Sequence, residues 1–107
     1  MKYPIFFISD AEEDIMDIYR YIVRNDSVEK ADYVLNKLEE ACNSLQNYAN
    51  RGHVPPELDR VNVRDYLEIH FKPYRIIYQI SGKKVYIHCI LDGRRSLEEL
   101  LQRRLLN

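Results

Sequence analysis

Apolar and polar residues alternate most regularly between Tyr66 and Arg95, and the rest of the chain is patterned to cover that stretch. Leu67, Ile69 and Phe71 alternate with Tyr66, Glu68, His70 and Lys72. Tyr74, Ile76, Tyr78 and Ile80 alternate with Arg75, Ile77 and Gln79, and Val85, Ile87, Cys89 and Leu91 with Tyr86, His88 and Ile90. A period of two belongs to a strand, whose side chains change face at every residue. Lys72-Pro73 and Ser81-Gly82-Lys83 supply the turn chemistry between the runs. The pattern predicts a three-stranded antiparallel meander. One face is apolar; the other is mixed and carries Glu68, His70, Arg75, Tyr86 and His88.

The first half of the chain offers a cover for the apolar face. Met1 to Ile8 reads as a short strand. Ser9-Asp10-Ala11-Glu12 then has the form of a capping box, and Ala11, Ile15, Ile18, Tyr19 and Ile22 recur at helical spacing. This helix is expected to end near Arg24-Asn25, and a second to start from Asp26 or Ser27 with Ala31, Val34, Leu35, Leu38, Cys42 and Leu45 as its buried stripe. So short a break makes an antiparallel helical hairpin. Gly52, Pro55 and Pro56 exclude a continuous helix between Asn47 and Val63, leaving an irregular connector with room for one helical turn at Glu57-Leu58. Ser96-Leu97-Glu98-Glu99 repeats the capping-box form and introduces a short C-terminal helix with Leu97, Leu100, Leu101 and Leu105 on one face. A helix of that length has to dock to be stable. The expected fold class is α+β in the order β-α-α-β-β-β-α: a helical hairpin packed on a small antiparallel sheet, in one domain spanning residues 1–107.

Composition changes this picture little. Of 107 residues, 46% are hydrophobic and 31% charged, ordinary values for a soluble globular chain. No apolar run approaches the ~20 residues of a membrane helix, and the N-terminal one is too short for a signal peptide. A cytoplasmic location without a membrane partner is expected. Cys42 and Cys89 fall within periodic elements and lack a CxxC neighbour, so they read as small buried hydrophobes in a reducing compartment. The net charge of −1 conceals an asymmetry: residues 1–48 hold five Lys/Arg against ten Asp/Glu, and residues 49–107 eleven against seven. The basic half could attract an acidic partner, but on charge alone the chain is no nucleic-acid binder.

Four strings, in this order and spacing, carry a family resemblance: Arg51-Gly52-His53-Val54-Pro55-Pro56-Glu57-Leu58, Arg64-Asp65-Tyr66-Leu67-Glu68, Lys72-Pro73-Tyr74-Arg75-Ile76-Ile77-Tyr78 and Ile90-Leu91-Asp92-Gly93-Arg94-Arg95. Together with the helical opening at Ala11, Asp14, Ile18, Tyr19 and Ile22, they resemble the RelE/ParE superfamily of bacterial type II toxins. The resemblance spans nearly the whole chain. It implies a toxin held inactive by a cognate antitoxin that has a DNA-binding N-terminal domain and a C-terminal segment wrapping the toxin. RelE-like members cleave messenger RNA on the ribosome; ParE-like members lack that active site and poison DNA gyrase.

Cleavage by a ribose 2′-hydroxyl needs a base, an acid and cations for the charged phosphorane. A nuclease site would draw on Arg75 with His70, Glu68 or His88. Three features oppose it. Glu68 and His70 occupy a strand where RelE-like nucleases carry lysines. The terminal helix offers Gln102, Arg103 and Arg104 where those enzymes use a tyrosine. The chain is also not strongly basic. Arg75, mid-strand among apolar residues, needs a matching charge, and Glu68 is a candidate. His70 and His88 lie on strands separated by the middle one, roughly 9–10 Å apart, so they are not expected to share a metal, and no cofactor is expected. The preferred expectation is a ParE-like toxin without catalytic residues. Arg75, Tyr86, His88, Arg94 and Arg95 would contact gyrase, and Ile15, Ile22, Leu35, Leu97, Leu101 and Arg104 the antitoxin. A ribosome-dependent messenger RNA endonuclease is the alternative, and an inert binding module a third.

Overall fold

A computed structural model describes residues 2–106; Met1, the first residue of the expected N-terminal strand, and Asn107 lie outside it. The elements are β1 (Ile5–Phe7), α1 (Ser9–Asn25), α2 (Val28–Asn43), α3 (Pro56–Asp59), β2 (Leu67–Phe71), β3 (Tyr74–Ser81), β4 (Lys84–Asp92) and α4 (Glu98–Leu105), with 3-10 turns at Ser44–Gln46 and Ala49–Arg51. The expected meander is present as β2-β3-β4, antiparallel throughout. β1 adds to it as a fourth strand, parallel to β4, so the sheet is mixed with order β1-β4-β3-β2. Among the described residues no helix is long and apolar enough to cross a membrane.

The helical hairpin covers the face its periodicity predicted. Ala11, Ile15 and Ile22 of α1 and Ala31, Val34, Leu38 and Cys42 of α2 are buried against Ile69, Ile76, Tyr78, Val85, Ile87 and Ile90 of the sheet. Ser27 caps α2, its Oγ accepting the Lys30 amide at 3.0 Å. Neither expected capping box forms. Ile8 still donates to the Ile87 carbonyl of the sheet at 3.1 Å while its own carbonyl accepts the amides of Ala11 and Glu12, so Ser9 is already inside α1. At the other end Leu97, not Ser96, occupies the cap position of α4, because its side chain is needed in the core.

One further expectation is corrected. The third strand does not alternate without interruption. The pairing passes from Ile77↔Cys89 to Tyr78↔Ile87, so His88 is the extra residue of a β-bulge. Beyond it the faces exchange: Ile90 joins Val85 and Ile87 under the hairpin, while Cys89 turns to the other side with Leu91 packed beside it. The mixed face is partly covered as well. α4 folds back over it and buries Leu97 and Leu101 against Ile77 and Cys89, making a second small core. Burial pushes both free thiols, Cys42 and Cys89, up to about 12, which leaves them protonated and inert.

Candidate functional site

The site is assembled where the connector after α2 crosses the edge of β2. The buried Tyr78 hydroxyl donates to the Ala49 carbonyl at 2.6 Å and accepts the Gly52 amide at 3.1 Å. A Cβ on Gly52 would lie 2.7 Å from both the Glu68 carbonyl oxygen and the Tyr78 hydroxyl, so only glycine permits this approach. His53 then pairs its backbone with Glu68, amide to carbonyl at 3.1 Å and in return at 2.7 Å. Proline at the first helical position starts α3, which presents Glu57 to the same spot.

Arg75 stands at the centre, opposite His70 in the β2–β3 register. Its Nε and Nη2 donate to the two oxygens of Glu68 at 2.6 and 2.9 Å, and its Nη1 and Nη2 to the two oxygens of Glu57 at 2.7 and 2.8 Å. Four donations to two carboxylates leave this guanidinium little to offer another anion. The Arg75 side chain is 13% exposed and that of Glu68 only 1%. Hydrogen bonds from Arg75 hold the Glu57 carboxyl below its usual range, and Glu57 above all raises Arg75 further above its own. Around this core sit two imidazoles. His70 Nε2 lies 3.1 Å from Glu68 Oε1 and His53 Nε2 3.3 Å from Oε2, with the rings edge to face at 5.5 Å.

Arg75, Glu68 and His70 are therefore brought together, and His88 is not among them. Its ring packs edge-on against Tyr66 at 5.2 Å, and burial, aided by the nearby Arg104 charge, lowers its pKa. A histidine kept neutral in this way is a poor proton donor to a leaving oxygen. Tyr86 stacks on the exposed Phe6 at 5.5 Å, with Lys84 Nζ 6.0 Å from the Phe6 ring. Arg94 is clamped by Asp92 at 3.0 and 2.7 Å, and the exposed Arg95 follows it at the mouth of a groove also lined by Asp17, Ile18, Tyr21 and Tyr74. Ile15, Ile22, Leu97 and Leu101 lie inside the chain's own cores, and Leu35 is half-buried. Arg104 is turned inward, where it donates to both oxygens of Asp14 and, at 2.9 Å, to the His88 carbonyl.

A family model described as the ParE toxin of the type II toxin-antitoxin system, parDE, matches residues 5–97. The chain belongs to the ParE toxin family. It is 31% identical over 85 residues to Toxin ParE3 of Caulobacter vibrioides, an alignment covering 78% of this chain and 80% of that one. The fold is similar to that in a chromosomal ParDE system from P. aeruginosa, with a TM-score of 0.71 at 22% identity over 85% of this chain and 96% of the other. It is also similar to that in the toxin–antitoxin complex RelBE2 from Mycobacterium tuberculosis, with a TM-score of 0.65 at 17% identity over 86% and 92% of the two chains. This ParE-family chain is thus a toxin of the RelE/ParE superfamily. Sequence reasoning missed two members of its central cluster, Glu57 and His53. Pro55-Pro56 did signal that Glu57 begins a helical turn; nothing local told where that turn would point.

Proposed function

We propose that this ParE-family toxin arrests growth by gripping DNA gyrase, breaks no bond itself, and is neutralised by a cognate antitoxin. One observation carries the reading: Arg75, the residue on which a nuclease would rely to stabilise a phosphorane, already gives four of its five N–H groups to Glu57 and Glu68. Its neighbour Glu68 is in turn engaged as the anion of that pair, and His88, the candidate acid, packs on Tyr66 with its pKa lowered by burial. The gyrase contact surface in this reading is the Phe6–Tyr86 stack with its lysines; Arg94 and Arg95, past the other end of β4, border the Tyr21 groove instead. For the antitoxin, the supporting feature is the groove beside the hairpin, where exposed Tyr21 and Tyr33 flank Phe71 and Tyr74. An amphipathic helix laid in such a groove is a common mode of recognition.

The test adds purified toxin to DNA supercoiling by gyrase and, in parallel, to a translating extract with a defined messenger. Inhibition of supercoiling, relieved by the antitoxin, is the expected result. Codon-aligned cuts in the messenger with supercoiling untouched would overturn the reading in favour of a ribonuclease.

A further inference from the structure

We propose that His53, Glu68 and His70 form a binding site for a divalent transition-metal ion of the zinc type. Three kinds of observation carry this. The donor set is right for such an ion, two imidazole nitrogens and one carboxylate oxygen. One ligand atom from each residue lies within 4.8 Å of the others, and each imidazole Nε2 stands beside its own Glu68 oxygen, His70 3.1 Å from Oε1 and His53 3.3 Å from Oε2, close to the about 3.3 Å between neighbouring donors on a tetrahedral ion with bonds near 2.0–2.1 Å. The imidazoles are 43% and 60% exposed, so an ion can enter from solvent and the rings can turn to close on it.

The second kind of observation is orientation. Each Glu68 oxygen accepts one Arg75 N–H from within and faces one imidazole on the outside. The guanidinium fixes the carboxylate plane, as an outer hydrogen-bond partner of a metal ligand does, and leaves the outward lone pairs aimed between the two rings. Glu68 and His70 are two apart on β2 and so share a face, and the backbone bridge holds His53 beside them. The third is charge. Glu57 and Glu68 carry two negative charges against the single positive charge of Arg75, so with neutral imidazoles the cluster keeps an uncompensated negative charge for a cation to meet. A bound ion would staple the connector to the edge strand, and this does not depend on the toxin's target.

The full-length chain, stripped with chelator, is titrated with zinc chloride by calorimetry, and with cobalt chloride while the visible spectrum is followed. One equivalent of zinc should bind, the cobalt adduct should show the intense bands of a tetrahedral centre, and the thermal midpoint should rise. His53→Gln and His70→Gln alter exposed rings and should fold, as circular dichroism would verify. Each should weaken binding by more than about tenfold, the mildest loss that removing an outer partner typically causes. His88→Gln should bind as the wild type. Failure of the wild-type chain to take up zinc would overturn the proposal, as would unchanged uptake by the His53→Gln/His70→Gln double variant.

Discussion

Arg75 shows why one residue decides between gripping and cutting. A buried charge is tolerated only when matched, and here two carboxylates match it from different elements, Glu57 on α3 and Glu68 on β2. The Glu57 carboxyl has its folded pKa depressed, chiefly by the Arg75 hydrogen bonds, so its contribution is present above the ordinary value of 4.5 and is lost as pH falls through the folded value. Asp14 runs the other way. Burial raises it, so its ionisation opposes folding: its contribution is fully present below the ordinary 3.8 and is lost as pH rises through the folded value. Glu57→Gln should therefore cost about 1.5–3 kcal/mol at neutral pH, the worth of hydrogen bonds to a charged group. It should also flatten the acid limb of the stability profile. Urea denaturation of both proteins along a pH series reads both; a mutant curve parallel to the wild type down to strong acid would contradict the assignment.

At the level of elements, the bulge in β4 is the organising feature. It turns Cys89 toward α4 and Ile90 toward the hairpin, and it frees backbone groups that two charged residues then satisfy. Asp14 Oδ2 accepts the Ile90 amide at 2.9 Å while Arg104 donates to the His88 carbonyl, and the two side chains pair with each other. α1, β4 and α4 are tied at one point. Arg104→Ala should cost about 1–3 kcal/mol through the groups left unpaired, and should speed hydrogen exchange at Ile90 and Leu101 before that of the hairpin. Uniform acceleration across the molecule would count against a local tie. The helical stripes and the three meander strands were legible because their apolar periods run unbroken. The bulge was not: no glycine or proline marks it, and continued alternation put Cys89 and Leu91 on the wrong face. The capping boxes misled for a related reason. Ser9 and Ser96 have the right neighbours, but the pairing of Ile8 and the burial of Leu97 fix where those helices begin.

The site was half legible. Arg75, Glu68 and His70 lie within one hairpin, where register alone brings them together, whereas His53 and Glu57 arrive from a connector whose path depends on the Tyr78 hydroxyl and on Gly52. For the whole molecule the consequence is a division of surfaces. The hairpin half is acidic, and its groove is flanked by Tyr21 and Tyr33; the sheet half is basic and ends in the Phe6–Tyr86 stack, ringed by Lys2, Lys83 and Lys84. If antitoxin and gyrase use these separate surfaces, mutations should separate as well. Phe6→Ala/Tyr86→Ala removes an exposed aromatic anchor and should raise the toxin concentration needed to inhibit supercoiling by about tenfold or more, the ~1.4 kcal/mol or above expected of an interface hot spot. Antitoxin affinity should stay unchanged in that variant. Tyr21→Ala/Tyr33→Ala should do the reverse, weakening the antitoxin while inhibition persists. Titration calorimetry with the antitoxin and supercoiling assays with gyrase, run on the same two double variants, measure both quantities. A variant that weakens both partners equally would mean that the two surfaces act as one and that neutralisation is simple occlusion of the gyrase-binding face.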